Sequence, residues 1–348
     1  MNQWQNKRVL ITGVCGTVGK ELLNQVIKYN PAEVIGLDNN ESEIFFLGEE
    51  YSHYKNVNLY IGDIRDKDKL LRKTSGIHIV LHAAALKHVI LCEQSPRDAI
   101  QTNILGTQNI IDAALVNNVE RVLFTSSDKA VNPTNVMGTS KLMCERLMTA
   151  ANAHKRSNYP VFASTRFGNV LGSRGSVIPL FKRQITSGGP VTLTDPEMSR
   201  FIMTLEDAVK LVIESVFLSR GGDVFVTKMK VVNIKDLAMV MIEELAPKYG
   251  CNPEAIPIKI TGKKAVEKLY EELMNEEETR RTIELDRYFV VLPAFKSVYE
   301  KIEYVYPGAI QKGIQEGIEK PYNSSTQPIM SRNELREYLV KHNLLLEG

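Results

Sequence analysis

The 348-residue chain has almost no net charge: 43 lysines and arginines stand against 41 aspartates and glutamates, a formal +2. So weak a field gives no electrostatic footprint for nucleic acid or an anionic membrane. Tryptophan occurs once and cysteine four times, at Cys15, Cys92, Cys144 and Cys251, with no Cys-x-x-Cys pair. That excludes a disulfide-stapled fold and offers neither a zinc ribbon nor a redox couple, so no metal is expected. No uncharged apolar run reaches the roughly 18 residues of a spanning helix. Lys7-Arg8 and the apolar stretch after it imitate a signal peptide, but glycines interrupt the run and Lys20-Glu21 replaces a cleavage site. A soluble, cytoplasmic protein is expected. With 43% hydrophobic and 24% charged residues, the composition is that of a globular chain able to bury a large core.

What is present is an alternation. Short apolar, β-branched runs at 8–12, 33–38, 57–61, 78–82, 121–126 and 161–166 predict strands. Helical spacing at 17–29, 67–73, 97–117 and 140–154 fills the gaps. Strand-helix alternation implies right-handed crossovers, and nearly continuous apolar strands imply a sheet buried on both faces. The predicted class is α/β, a doubly wound parallel Rossmann sheet with a smaller C-terminal region. Residues 1–167 form the dinucleotide-binding part in this reading. Residues 168–328 form a substrate-binding region, part of it returning to the first. Residues 329–348 carry a C-terminal helix, announced by the capping box of Ser331 and Glu334. Within the middle region, 205–219 and 234–249 have helical spacing, and 303–327 reads as an extended connection.

The first motif is Gly13-x-x-Gly16-Thr17-Val18-Gly19, between a predicted strand and a predicted helix. Such glycines let the backbone turn tightly against a pyrophosphate, which the amides at the helix start then face. Asp38 ends the next strand, where a carboxylate accepts from adenosine ribose hydroxyls. It would repel a 2′-phosphate, and Asn39 and Asn40 supply no arginine to offset that, so NAD is favoured over NADP. Asp63-Ile64 is placed to read the adenine edge. Ala83-Ala84-Ala85 after the fourth strand leaves room for the nicotinamide half.

The fifth strand runs into Ser126-Ser127-Asp128-Lys129, with Met137 and Lys141 beyond it. Here the sequence resembles the extended short-chain dehydrogenase/reductases, and within them the nucleotide-sugar 4,6-dehydratases acting on NDP-N-acetylglucosamine. The markers are the three glycines, Ala84 to Val89, Ser127 to Pro133, Arg166 to Val170, Gly172 to Pro179, and Thr194 to Phe201. The resemblance implies NAD as cofactor and three chemical steps. C4 is oxidised to a ketone, the acidified C5 hydrogen leaves with the C6 hydroxyl as water, and the hydride comes back at C6. It implies Asp128 as the acid for the C6 oxygen and Lys129 as the C5 base. An unperturbed aspartate titrates near 3.9 and a lysine near 10.4, so burial and mutual attraction must decide their states. In most of the superfamily a tyrosine stands where this chain has Met137, and a thioether cannot take the 4-hydroxyl proton. Ser127, or a water relayed toward Asp128 and Lys129, is left for that task. By the same resemblance Lys141 holds the nicotinamide ribose.

On the substrate side the expected contacts are Asn169 and Arg200 to phosphate, with Arg174 assisting. Lys87 and His88 are placed to meet the sugar, and Val177 and Pro179 the base. Glu267 begins a segment resembling one at the family's substrate cleft, although Ala265-Val266 replaces its usual Pro-Gly. UDP-N-acetylglucosamine is the first expectation and GDP-N-acetylglucosamine the second, in bacterial surface-glycan sugar synthesis. Helices 97–117 and 140–154 carry apolar residues on more than one side, and by resemblance a homo-oligomer is expected. Two other readings stand beside this one: a nucleotide-sugar 4-epimerase and a non-catalytic NAD-binding regulator.

Overall fold

The apolar runs form the strands of a large sheet in a computed structural model, which describes residues 3–154, 158–173, 175–262, 265–295, 302–307 and 317–345. The first six strands are β1 (Arg8–Thr12), β2 (Glu33–Asp38), β3 (Val57–Ile61), β4 (Ile79–His82), β5 (Arg121–Thr125) and β6 (Val161–Arg166). Later come β7 (Asn169–Val170), β8 (Val191–Leu193), β9 (Ser199–Met203), β10 (Val224–Thr227) and β11 (Lys230–Asn233). The last are β12 (Ile258–Ile260), β13 (Glu272–Met274), β14 (Thr282–Glu284), β15 (Tyr288–Val291) and β16 (Tyr322–Asn323). The large sheet runs β14-β15-β10-β6-β5-β4-β1-β2-β3, parallel from β10 to β3 with an antiparallel edge. The strand order reverses between β1 and β4, the crevice where doubly wound sheets bind ligands. Three smaller sheets, β11-β9-β7, β12-β8 and β13-β16, are built from the second half of the chain.

Helices cover both faces. They are α1 (Thr17–Ile27), α2 (Glu41–Glu50), α3 (Lys67–Lys73), α4 (Val89–Gln94), α5 (Pro96–Ala99), α6 (Gly106–Val116) and α7 (Val136–His154). The second half adds α8 (Val177–Thr186), α9 (Leu205–Leu218), α10 (Ile234–Leu245), α11 (Glu276–Thr279) and α12 (Arg332–Lys341). α1 buries Leu22, Leu23 and Val26 in the core that also receives Val209 and Val212 of α9. α8, α10 and α12 close a second core around Phe181, Leu237, Met241 and Leu335. Ser331 and Glu334 form their reciprocal cap at the start of α12. Of the stretch 303–327, residues 308–316 lie outside the described residues.

One predicted helix is broken. Residues 97–117 divide into α5, a π-helical turn at Ile100–Leu105, and α6. Asn103, in that turn, is buried and makes a two-point clamp: Nδ2 donates to Leu86 O at 3.1 Å, and Oδ1 accepts from Leu86 N at 2.8 Å. Nδ2 also donates to Ser140 Oγ at 2.9 Å. These tertiary bonds explain the local departure from α-helical spacing, for which π-turns are a common vehicle. They tie the segment after β4 to α7. That helix begins at Val136, four residues earlier than its predicted start, because Asn135 Oδ1 accepts from Gly138 N at 2.8 Å.

A buried histidine joins the strand ends. His82 Nδ1 lies 2.7 Å from Thr12 Oγ1 and Nε2 lies 3.1 Å from Thr107 Oγ1. Burial, aided by the nearby Lys141 charge, pushes its pKa down to about 3. A depressed histidine is neutral in the fold, and its contribution is complete above the unfolded value near 6.5. It is lost as pH falls from there toward 3, at about 1.4 kcal/mol per unit. Urea unfolding between pH 7 and 5 is expected to show a shallower decline in His82→Gln than in the parent.

Candidate active site

The glycine loop sits at the switch point. Gly13 has φ +70°, and a Cβ there would lie 2.7 Å from Ala84 Cα, so only glycine lets the loop close on the end of β4. A Cβ on Gly19 would lie 2.0 Å from Gly13 O. Gly16 caps α1 without a side-chain bond, leaving the helix start open to an anion. Gly13→Ala is therefore expected to cost about 2 kcal/mol or more from backbone strain alone, read as a lowered urea midpoint. Asp38 Oδ2 accepts from Cys15 N at 3.0 Å and Oδ1 from Asn40 N at 3.1 Å, which fixes the carboxylate beside the loop.

Asp63 stands nearby, held below the ordinary carboxylate range chiefly by its hydrogen bonds from Arg65, with Asn39 adding one. Ile64 turns inward instead, filling the space above Gly106 in the core. Thr17 and Gly16 border a cavity of about 400 Å³ that also touches Gly172 and Leu205, while Val18 packs against the core. Ala83, Ala84 and Ala85 are half-buried after β4, and Ala84 N donates to Thr12 Oγ1 at 3.4 Å. These residues fit a dinucleotide: a tight turn, an uncapped helix start and a fixed carboxylate at the next strand end.

Asp128–Ala130 form a single 3₁₀ turn after β5. Gly138 in the first turn of α7 lies so close that a Cβ would meet Lys129 O at 2.2 Å, so α7 is pressed onto this turn. Ser127 Oγ donates to Asp128 Oδ1 at 2.7 Å, and Lys129 Nζ donates to the same oxygen at 3.0 Å. Asp128 is 1% exposed, and its Oδ2 is buried without a hydrogen-bond partner, as is Ser126 Oγ. A buried unpaired carboxylate oxygen is costly unless something arrives to meet it.

Lys129 keeps 26% of its side chain exposed. Desolvation pulls its ammonium down, but the charges of Asp128 and Glu271 outweigh this and its pKa stands above the usual lysine value. Lys141 is in the opposite condition: burial lowers it to about 8. Its Nζ donates to Thr125 O at 2.9 Å and lies 4.6 Å from the centre of the Phe124 ring. Met137, one turn earlier on α7, is buried among Cys92 and Ala99.

A cavity of about 600 Å³ adjoins Lys129. Of the substrate residues expected from sequence, His88, Asn169, Arg200 and Glu267 line it. Arg200 is committed to the chain: Nη1 donates to Ser199 O and Leu269 O, and Nη2 to Lys268 O at 2.8 Å. It shapes the loop before β13 rather than presenting an open fork. Lys87 is exposed on the segment after β4, and His88 lies over Gly175, whose Cβ would come within 3.0 Å of the ring. Val177 packs on the second core, Pro179 is half-buried in the first turn of α8, and Arg174 lies outside the described residues. Among the described residues no group of His, Cys, Asp and Glu is placed to hold a metal, and no helix is long and apolar enough to cross a membrane.

Sequence reasoning missed Glu271. It chose Glu267 from the same segment, but Glu271 is the buried member, with Oε1 3.5 Å from both Lys129 Nζ and Arg200 Nε. Burial raises its pKa against the pull of Lys129. No periodicity marks it, because the segment is neither helix nor strand at that point.

The profile of a polysaccharide biosynthesis protein family matches residues 9–293. A protein of Methanocaldococcus jannaschii, described only as an uncharacterized membrane protein, is 52% identical over 84% of this chain and 87% of its own length. A UDP-N-acetylglucosamine 4,6-dehydratase (inverting) of Campylobacter jejuni is 34% identical over 97% of this chain and 98% of its own. The crystal structure of Pen from Bacillus thuringiensis, 41% identical, superposes with a TM-score of 0.90 over 99% of this chain and 100% of its own. Other curated relatives carry the name UDP-glucose 4-epimerase. This chain spans about half (46%) of some longer ones. The chain belongs to this polysaccharide biosynthesis family, within the extended short-chain dehydrogenase/reductases that modify sugar nucleotides.

Proposed function

We propose that the protein is an NAD-dependent 4,6-dehydratase of UDP-N-acetylglucosamine, or of its GDP counterpart, supplying a 4-keto-6-deoxy sugar for surface-glycan synthesis. The observation that carries this reading is the contact of buried Asp128 with Lys129 beside the large cavity. An epimerase needs no acid for a departing hydroxyl and no base at C5, whereas a dehydratase needs both. Gly13, Gly16 and Gly19 with the start of α1 would hold the pyrophosphate, Asp38 the adenosine ribose, and Lys141 the nicotinamide ribose. Held there, a nicotinamide would supply reversible hydride acceptance for the sugar.

The chain's own groups move the protons. Met137 cannot accept the C4 hydroxyl proton. Ser127 can pass it on, since its hydroxyl already donates to Asp128 Oδ1. Asp128, so protonated, gives that proton to the departing C6 oxygen. Lys129, once it has released its own proton to solvent on substrate binding, takes the proton from C5 and gives one back there to complete the 4-keto-6-deoxy sugar. Exposed Ile100 and Leu105 in the π-turn, Val116 on α6 and Met143 on α7 favour assembly as a homo-oligomer.

The epimerase reading is favoured by the names of several relatives. Mass spectrometry separates the two. Incubation with NAD and UDP-N-acetylglucosamine is expected to yield a product lighter by one water. An isomer of unchanged mass, told from substrate by its NMR spectrum, would support the epimerase, and both the UDP and the GDP sugar left unchanged would leave only the non-catalytic regulator.

A further inference from the structure

Four charged groups are linked at the cavity, three of them on its wall and Asp128 buried behind Lys129. Asp128 and Glu271 are the carboxylates, and Lys129 and Arg200 the cations. Lys129 Nζ lies between the carboxylates, 3.0 Å from Asp128 Oδ1 and 3.5 Å from Glu271 Oε1. Arg200 Nε lies 3.5 Å from the same Glu271 oxygen, and its Nη atoms are committed to backbone carbonyls. Glu271 is therefore fixed from one side by a guanidinium that cannot turn away, and offers its charge to the amine on the other. Its main chain is pinned too: Glu271 N donates to Ser324 Oγ at 3.0 Å, and Glu271 O accepts from Ser324 N at 2.9 Å.

Each element around Lys129 contributes its own charge. Asp128 comes from the same turn, Arg200 from β9, and Glu271 from the loop before β13. Farther out, Glu267 lies 4.0 Å from Arg200 Nη2, Lys268 is paired with Glu272 at 3.1 Å, and His88 stands on the cavity wall at the start of α4.

We propose that Glu271 is a positioning residue for Lys129: its carboxylate, anchored by Arg200, holds the amine over the cavity and keeps it protonated in the substrate-free enzyme. The arrangement resembles a base held by an orienting carboxylate, with the carboxylate stabilising the cation formed when the base takes its proton. Asp128 alone would draw the amine back onto its own turn. Glu271, with Oε1 3.5 Å from Nζ, adds a second attraction from the loop before β13. The proposal deepens the dehydratase reading and rests on it for the identity of the proton, but not for the charge of the amine.

The test uses the full-length protein and measures the amine directly. Acetic anhydride acylates only the neutral form, so the labelling rate of Lys129, followed by peptide mass spectrometry at pH 9, reports its protonation. An opposite charge favours the charged form, so removing it must expose more neutral amine. Glu271→Gln is expected to raise labelling of Lys129 about tenfold or more, one pH unit being a factor of ten. Glu271→Asp, which keeps the charge but draws it back by a methylene, is expected to raise labelling about threefold, and serves if the glutamine variant does not fold.

In a protein that dehydrates its substrate, the acid limb of the rate against pH moves down in Glu271→Gln by the same interval. Labelling of Lys129 equal to the parent's in a folded variant overturns the proposal. A parent that labels as expected but dehydrates nothing leaves Glu271's role standing and removes the dehydratase reading.

Discussion

Lys129→Ala is expected to slow loss of water from the sugar nucleotide by about 100- to 10,000-fold, the range a positioned acid-base group supplies. The side chain is one of two that meet Asp128 Oδ1. Removing it takes away the proposed C5 base and leaves Asp128, already carrying an unpaired buried Oδ2, with one hydrogen bond fewer. The defect should fall on turnover rather than on cofactor affinity, because Lys129 lies at the large cavity and not among the glycine-loop residues. Single-turnover measurement with UDP-N-acetylglucosamine checks both points. Unimpaired water loss in the variant would remove Lys129 from the chemistry.

Arg166→Met is expected to lower the unfolding free energy by about 3–5 kcal/mol, the cost of breaking a buried ion pair from one side. Arg166 ends β6 and is 1% exposed. Nε and Nη2 donate to Glu145 at 2.8 and 2.6 Å, and Nη1 and Nη2 donate to Glu278, each at 2.8 Å. Nη1 also donates to Leu273 O at 3.1 Å. All five guanidinium hydrogens thus have acceptors. Glu145 lies on α7, one turn beyond Lys141, and Glu278 lies on α11, just past the strand that follows Glu271. The guanidinium therefore ties the helix that carries Lys141 to the segment that carries Glu271. Methionine would leave two buried carboxylates facing each other. Changing Glu145 and Glu278 to leucine and methionine as well should recover most of the loss, because desolvation no longer has to be offset. Urea unfolding of the single and triple variants decides. A loss below about 1 kcal/mol in the single variant would show that the cluster is not held together by Arg166.

The parallel sheet was legible because strands buried on both faces must be apolar throughout, and β1, β2 and β6 keep the limits their residues predict; β3 keeps its limits too, although as the edge strand it leaves Tyr60 and Ile61 exposed. The glycine loop was legible because Gly13 and Gly19 answer to backbone contacts that no other residue tolerates. The break in the 97–117 helix was not, since it comes from Asn103 reaching Leu86 and Ser140 across the fold. α2 escaped notice because its ten residues bury only Ile44 and Leu47 and leave Phe45 and Phe46 outside, which blurs any apolar stripe. Asp128 and Lys129 were recognisable as adjacent residues in a motif. Glu271 and Arg166 act through partners distant in the chain, so their types were visible and their roles were not. Arg200 shows the converse: its residue type suggested phosphate, but neighbouring carbonyls claim its fork.

The central claim is that a hydride removed from one carbon of the sugar is returned to another. Substrate deuterated at C4 tests it directly. The account predicts product whose deuterium sits on the C6 methyl group, transferred within one molecule and seen by NMR. Deuterium retained at C4, or washed out into solvent, would contradict it.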